Sequence, residues 1–149
     1  MYTLDMADRK IIGELECDAR RSLRKISRKL GVSITTLSNR ISKLEKLGVI
    51  KGYSAVVNPE SIGFDLTAII ELVVSKGKLM EVEKEIAKMR NVFAVYDITG
   101  LTDAIVLARF RKRSDMSGFI KSLLAMRYVE RTNTHVVLNV VKEDMRIRL

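Results

Sequence analysis

The chain of 149 residues contains one cysteine, one histidine, one proline and no tryptophan. A single cysteine excludes an intrachain disulfide and a cysteine-rich metal site, and His135 has no partner with which to bind a metal. No apolar run approaches the roughly 18 residues that cross a bilayer. Asp5, Asp8 and Arg9 interrupt any early apolar stretch that could serve as a signal peptide. These absences favour a soluble cytoplasmic protein with no membrane partner, no metal and no cofactor.

Positive charge is concentrated in one part of the sequence. Residues 20–51 contain ten basic residues and one acidic residue, Glu45, and so carry a net charge of +9, whereas the rest of the chain has 17 basic and 17 acidic residues. A basic window this dense is typical of a nucleic-acid-binding surface. The same charges also suit a hydrated basic face without a partner, and charge alone does not separate the two.

Capping residues and apolar spacing predict three helices in the first 50 residues. Asp5 caps the first helix, Ser22 opens a second that Gly31 ends, and Ser33 caps a third that Gly48 ends. The second and third helices, joined by a short turn, have the spacing of a helix-turn-helix. The predicted buried side of the third helix consists of Ile34, Leu37, Ile41, Leu44 and Leu47.

The opposite side of the third helix has groups that suit a DNA groove. Asparagine can read adenine, threonine can touch a thymine methyl, and arginine and lysine neutralise phosphates. An ordinary hydrated helix face, the alternative, usually carries glutamate, and this side has none. We therefore predict double-stranded DNA as the partner, with Thr35 and Asn39 reading bases and Arg40 and Lys43 contacting phosphate. The full predicted contact set is Ser33, Thr35, Thr36, Asn39, Arg40, Lys43 and Lys46.

A break in the sequence follows the third helix. Residues 49–57 alternate in polarity and predict a linker strand, which Asn58-Pro59 breaks and Gly63 follows. We therefore expect a DNA-binding domain over residues 1–50, a linker strand and turn over 51–64, and a second domain over 65–149.

The second domain has the order βαββαβ. Its predicted strands cover residues 66–75, 92–99, 104–111 and 134–142, with one helix at 79–89 and another around 116–123. This order is that of a ferredoxin-like domain, an antiparallel sheet with both helices on one side. The predicted fold class is thus α+β: a winged-helix-like helix-turn-helix module, a linker strand and a ferredoxin-like domain.

The sheet face away from the helices is also expected to be apolar. An antiparallel sheet covered on one side is usually polar on the other, and an exposed apolar patch usually marks an interface. A homodimer formed through this face would present two recognition helices to two half-sites. The residues predicted at the dimer interface are Ile69, Val73, Phe93, Val95, Ile105, Leu107 and Val137.

A series of short motifs runs in order along nearly the whole chain. They include Leu4-Asp5-x-x-Asp8, Ile26-Ser27-x-x-Leu30-Gly31-Val32-Ser33, Gly48-Val49-Ile50-x-Gly52-Tyr53, Asn58-Pro59-x-x-Ile62-Gly63 and Thr99-Gly100-x-x-Asp103. Together they resemble the Lrp/AsnC family of prokaryotic transcription regulators. The resemblance implies dimers built through the ferredoxin-like domain, assembly into tetramers or octamers, and an effector, commonly an amino acid, bound between dimers.

The resemblance places the effector near the turn that contains Gly100 and Asp103. The family usually has an aromatic residue before the aspartate and often another after it, whereas here Thr102 and Ala104 stand at these positions, which favours a small polar ligand. The predicted effector site is Gly100, Thr102, Asp103 and Thr134. The alternative is a plain hairpin turn, in which glycine supplies positive φ and aspartate bonds the backbone.

Three functions compete at this point. The favoured one is an effector-linked transcription regulator. An architectural protein that wraps DNA without an effector would rely on phosphate contacts and would barely distinguish an operator from random DNA. An enzyme of amino-acid metabolism with a regulatory domain is disfavoured, because the sequence has no phosphate loop, zinc motif or nucleophile motif and so predicts no catalytic residue.

Overall fold

Three helices form the N-terminal part of the computed structural model, which describes residues 2–147. They are α1 (Met6–Cys17), α2 (Leu23–Leu30) and α3 (Ile34–Lys46). The Asp5 side chain caps α1 by accepting the backbone N–H of Asp8 at 2.7 Å. Ser22 and Ser33 cap α2 and α3 in the same way. The predicted helix starts are therefore confirmed.

The three helices pack on a small apolar core. Its buried members are Ile11, Ile26, Leu37, Ile41 and Leu44. Ile34 and Leu47, which we expected on the buried side of α3, are 44% and 49% exposed. They lie at the two ends of the helix, beyond the part that packs on this core.

Gly31 makes the tight turn between α2 and α3. It adopts a left-handed conformation with φ of 66°, which glycine reaches without steric cost. The N–H groups of Gly31 and Val32 both donate to the Ser27 carbonyl and so satisfy the end of α2. This turn fixes the direction in which α3 leaves α2.

The linker is not a strand within one chain, so the predicted strand at 49–57 is wrong for the single chain. A strand requires a neighbouring strand for its hydrogen bonds, and none of the described residues pairs with this segment. The Tyr53 hydroxyl donates to Glu45 Oε1 of α3 at 2.9 Å, and the Ile50 side chain packs against the helical core. A short 3₁₀ turn, Glu60–Ile62, follows.

A four-stranded antiparallel sheet with two helices forms the second unit. Its elements are β1 (Leu66–Val74), α4 (Leu79–Ile86), β2 (Val92–Asp97), β3 (Ala104–Phe110), α5 (Arg113–Leu124) and β4 (Val129–Val136). The strand order β2-β3-β1-β4 is the one expected of a ferredoxin-like domain, which confirms the predicted α+β fold class.

Both helices cover the same face of this sheet. On that face Ile70, Leu72 and Val106 are completely buried. Val82 and Ile86 from α4 and Phe119 and Leu123 from α5 belong to the same cluster. The one-sided helical layer is therefore as predicted.

The last strand begins and ends earlier than predicted. β4 covers Val129–Val136 in place of residues 134–142, because its polar segment pairs with β1 at the edge of the sheet. The apolar run that suggested a later strand is largely outside it, and Leu138 and Val141 are 98% and 92% exposed. The start and end of β4 are set by backbone hydrogen bonding to β1, which the residue types of the segment do not indicate.

The chain divides into two compact units, one reaching from the N-terminus to Val56 and the other covering Val57–Val141. The segment from Lys142 belongs with the first unit, where the Ile147 N–H donates to Glu16 Oε1 at 3.0 Å. The division predicted from the sequence places this segment in the second domain. Within residues 2–147, no helix is long and apolar enough to cross a membrane.

Candidate nucleic-acid interface

One side of α3 presents only hydroxyl, amide and cationic groups to solvent. Glu45 is the only carboxylate of the helix, and it accepts the hydroxyl of Tyr53. Thr35 and Asn39 have no side-chain partner among the described residues, so their polar atoms are available to another molecule. The exposed residues along this side are Thr35, Thr36, Asn39, Ser42, Lys43 and Lys46.

Two predicted contact residues help to build the start of the helix. The Ser33 hydroxyl oxygen accepts the Thr36 N–H at 3.0 Å, and the two hydroxyls lie 2.8 Å apart. Ser33 therefore serves first as the N-cap of α3. Both residues are exposed and stand beside Thr35 at the end of α3 that leaves the turn.

Arg40 is held by protein carboxylates. Its Nη1 atom lies 2.7 Å from Asp5 Oδ2 and 2.7 Å from Asp8 Oδ1. Hydrogen bonds to Asp5 and Asp8 raise the pKa of Arg40. Burial opposes ionisation of Asp8, but hydrogen bonds from Tyr2 and Arg40 outweigh it and lower the pKa of this carboxyl. The sequence predicts a phosphate contact for Arg40, whereas in the structure its Nη1 atom points at the N-terminus of α1.

Tyr2 is a member of this surface that sequence reasoning missed. The Lys43 Nζ atom lies 4.6 Å from the centre of the Tyr2 ring, and the Tyr2 hydroxyl donates to Asp8 Oδ2 at 2.7 Å. A shallow open depression of about 390 Å³ lies here. An aromatic residue just before the first cap was the only sequence signal for this contact. The depression is lined by Tyr2, Asp5, Thr36, Asn39, Arg40 and Lys43.

Most of the basic window is not neutralised inside the unit. Arg21 and Lys29 pair with Glu14, and Arg40 pairs with Asp5 and Asp8. The other basic residues of the window have no carboxylate partner among residues 2–147. Unpaired cations attract a polyanion. They are Arg20, Arg24, Lys25, Arg28, Lys43, Lys46 and Lys51.

The turn between β2 and β3 contains three of the four predicted effector residues. Asp103 Oδ2 accepts the Val74 N–H at 2.8 Å, so this carboxylate joins the turn to the end of β1. Gly100 has φ of 134°, a conformation that favours glycine. Thr102 is half-buried, and Leu101 beside it is 97% exposed.

Thr134, the fourth predicted effector residue, lies elsewhere in the second unit. It pairs with Ile70 in the sheet, on the face that the helices cover. Asp103 bonds Leu72 and Val74, two and four residues further along β1, and β3 and β4 lie on opposite sides of β1. Thr134 and Asp103 are therefore separated by roughly 7–13 Å along the strands and by two strand spacings, about 9.6 Å, across them. The structure therefore brings Gly100, Thr102 and Asp103 together but does not bring Thr134 to them within one chain.

Most of the predicted dimer residues lie on the sheet face away from the helices. Five of them are half-buried there, and Phe93 is 38% exposed. The Phe93 ring stacks under the Arg109 guanidinium, 4.1 Å from its central carbon. The five half-buried residues are Ile69, Val73, Ile105, Leu107 and Val137.

The prediction that Val95 lies on the outer sheet face is wrong. It pairs with the buried Val106 and packs against the core beneath the helices. The register of β2 shifts between Val92 and Ala94, and the extra residue of such a bulge reverses the alternation after it. Ala94 and Tyr96 consequently occupy the outer face.

Two family models match the chain, one over its N-terminal part and one over its C-terminal part. A model of winged helix-turn-helix DNA-binding domains matches residues 4–51, and a model of the Lrp/AsnC ligand binding domain matches residues 67–147. The chain belongs to the Lrp/AsnC family. An uncharacterised HTH-type transcriptional regulator of Pyrococcus abyssi is 51% identical over 144 residues, which cover 97% of this chain and 98% of that protein.

Two further relatives agree with this membership. The HTH-type transcriptional regulator FL11 of Pyrococcus furiosus is 38% identical over 140 residues, covering 94% of this chain and 93% of that protein. A Neisseria meningitidis transcriptional regulator, solved as a complex with L-Met, has 27% identity and a TM-score of 0.88, with 97% and 96% of the two chains covered. This Lrp/AsnC chain is therefore a DNA-binding transcriptional regulator, as the sequence motifs predicted.

Proposed function

We propose that this regulator reads a specific DNA sequence as a homodimer and responds to a small amino-acid-like effector. The observation that carries the proposal is the exposed side of α3, where hydroxyls, an amide and lysines without a carboxylate partner stand together and to which α3 itself contributes no acidic side chain. Its work is recognition, so we propose no enzyme activity, cofactor or metal. We propose a cytoplasmic location, which suits a protein that binds DNA.

Within this proposal the residues of α3 divide between bases and phosphates. Thr35 and Asn39 have no side-chain partner among the described residues, and short polar side chains of this kind read base edges. Lys43 and Lys46 supply positive charge along the same side and suit phosphate contacts. Ser33 and Thr36 lie where the helix N-terminus would approach the DNA backbone.

A second copy of the chain is proposed to cover the outer sheet face. Ile69, Val73, Ile105 and Leu107 form an apolar centre there, and Glu71 beside them is bonded by Asn133 at 2.9 Å. An apolar centre with a polar margin is the usual arrangement of a protein interface. Pairing through this face gives a two-fold dimer, and further assembly into tetramers or octamers follows the family pattern.

The effector is proposed to bind at the turn of Gly100, Thr102 and Asp103. The Neisseria relative was solved with L-Met, and we extend that ligand class, an amino acid, to this chain. Asp103 Oδ1 has no partner among the described residues and could receive an ammonium group. Thr134 could contribute only from another copy, because it lies two strands away from Asp103, on the other side of β1.

Selection from random duplexes tests the DNA part of the proposal. A two-fold dimer should enrich inverted half-sites whose centres lie about one or more helical turns apart. Recovery of no common sequence, together with strongly salt-dependent binding to any duplex, would favour the wrapping protein. Turnover of an amino acid by the purified protein would favour the enzyme.

A further inference from the structure

We propose that Tyr2, Asp5 and Asp8 form an N-terminal clamp that positions α3 for reading DNA, with Arg40 as its anchor and not as a phosphate contact. The proposal rests on the proposed DNA reading by α3. It assigns to residues before and at the start of α1 a share in sequence specificity.

The centre of the clamp is a buried carboxylate with several partners. Asp8 is 1% exposed. It accepts the Tyr2 hydroxyl at 2.7 Å, Arg40 Nη1 at 2.7 Å and the Asp5 N–H at 3.4 Å. A carboxylate is costly to bury unless such partners satisfy it. Asp8 therefore needs the guanidinium where it stands.

The same guanidinium atom also bonds Asp5, the N-cap of α1. Asp5 Oδ1 holds the Asp8 N–H at 2.7 Å, while Asp5 Oδ2 holds Arg40 Nη1 at 2.7 Å. Because capping fixes the Asp5 side chain against α1, its second oxygen is a rigid point of attachment. Arg40 thus ties the middle of α3 to the first turn of α1.

This attachment lies where it can set the rotation of α3 about its own axis. Arg40 is the next residue after Asn39, one turn beyond Thr36 and three residues before Lys43. Recognition side chains need to be held within about 0.5 Å and about 10–20° of their productive positions. A bond to Arg40 from outside the helix supplies that constraint to its neighbours.

Tyr2 extends the clamp to the phosphate-contacting side. Its hydroxyl is bound to Asp8, so the ring is held in place below Lys43 Nζ, 4.6 Å from the ring centre. A cation over an aromatic ring is attracted to it while its other directions stay open. Tyr2 lies before the residues 4–51 that match the DNA-binding family model, so that match does not include this part of the clamp.

A phosphate contact by Arg40 would cost more free energy than it would contribute. Movement of its guanidinium onto a phosphate would leave the buried Asp8 without its cation, and would expose a carboxylate beside an anionic backbone. The hydrogen bonds that lower the pKa of Asp8 and raise the pKa of Arg40 favour the charged pair in place. Arg40 therefore stays bonded to Asp5 and Asp8, and Lys43 is the residue that contacts phosphate.

The test compares Arg40→Met, Tyr2→Phe and Lys43→Ala in the full-length protein. DNA binding is measured against salt concentration on the selected operator and on a random duplex. Arg40→Met should leave the salt slope unchanged and lower the operator-to-random ratio by about fivefold or more, the scale of one mispositioned base-reading side chain. Lys43→Ala should instead lower the slope by about one unit and leave the ratio unchanged.

Tyr2→Phe is the milder clamp variant, because it removes one hydroxyl and keeps the ring. It keeps the test interpretable if Arg40→Met fails to fold. It should lower the operator-to-random ratio by a smaller factor, about two- to threefold, since only one of several hydrogen bonds to Asp8 is removed. All variants are compared below their thermal unfolding transitions. If Arg40→Met lowers the salt slope as Lys43→Ala does, Arg40 contacts phosphate and the proposal is overturned.

It is equally overturned if both clamp variants melt earlier but keep the wild-type operator-to-random ratio, since the clamp would then only stabilise the fold. Absence of any operator preference in the wild-type protein would be a failure of the proposed function. The salt slopes of Arg40→Met and Lys43→Ala on random DNA would then decide the role of Arg40 by themselves.

Discussion

Asp103 holds the end of β1 through two bonds at once. Its Oδ2 accepts the Val74 N–H at 2.8 Å, and its own N–H donates to the Leu72 carbonyl at 2.8 Å. The proposed effector residue is therefore also a structural part of the turn. Any variant intended to test sensing at this position has to preserve the acceptor for Val74.

Two substitutions of Asp103 should distinguish its contribution to stability from its proposed contribution to effector binding. Asp103→Ala leaves the Val74 N–H without its acceptor and should cost about 1–2 kcal/mol of unfolding free energy. Asp103→Asn retains an oxygen acceptor but no charge, so it should cost less and yet abolish any response to an amino-acid effector. Urea unfolding and melting temperatures with and without each common amino acid measure both effects. A response by Asp103→Asn equal to that of the wild type would contradict the proposed site.

Lys43 should behave as a phosphate-binding residue. Lys43→Ala should weaken binding to operator and random DNA alike and lower the salt slope by about one unit, the value for a single phosphate-neutralising side chain. The matched control is Lys76→Ala, an exposed lysine in the second unit, which should leave the slope unchanged. Equal effects of the two substitutions would show that Lys43 acts only through net charge.

Dimer formation should depend on the centre of the outer sheet face. Val73→Asp or Leu107→Asp would bury an unpaired carboxylate against the partner, which is expensive, and should give monomers or insoluble protein. Met80→Asp is the control, because Met80 is 66% exposed on α4 and lies outside this face. Light scattering of the three variants measures the assembly. A dimer retained by both sheet variants would refute the proposed face.

The helices and the element order of this protein could be predicted from sequence because they depend on local signals. Asp5, Ser22 and Ser33 accept N–H groups within the next turn, and Gly31 supplies a left-handed conformation that few other residues adopt. The alternation of buried residues in β1 likewise follows from the two-residue repeat of a strand. Such signals act over a few residues and can be read one segment at a time.

The wrong boundaries and faces depend on pairing between distant segments. Val95 faces the core because of a register shift that the residue types of β2 do not indicate. The strand β4 begins at Val129 because a polar segment at the edge of the sheet pairs with β1. The position of Arg40 has the same origin. Its helical angle allowed a DNA contact, but its bonds reach 35 and 32 residues back along the chain.

Tyr53 should titrate at unusually high pH. Partial burial, with the hydrogen bond to Glu45 and its negative charge, raises the pKa of this phenol to about 12 from 10.0. A raised folded pKa means that the associated stability is present below pH 10.0 and disappears as the pH rises through about 12. Glu45→Gln should lower this pKa towards 10.0 but not fully, since burial remains.

Ultraviolet titration of the wild type and of Tyr53→Phe isolates this group among the four tyrosines. The difference between the two curves should be one phenol that ionises near pH 12. A difference curve centred near pH 10 would mean that Tyr53 is not docked on Glu45, and that the linker leaves α3 free in solution.

The central claim, that α3 reads base sequence through its exposed polar side, is tested most directly at Asn39. The affinities of the wild-type protein and of Asn39→Ala are measured on the selected operator and on duplexes with each single base pair replaced in turn. We predict that Asn39→Ala loses discrimination at one base position in each half-site, by about 1–3 kcal/mol, and keeps it elsewhere. Equal weakening at every position, or an unchanged profile, would contradict base reading by this side of α3.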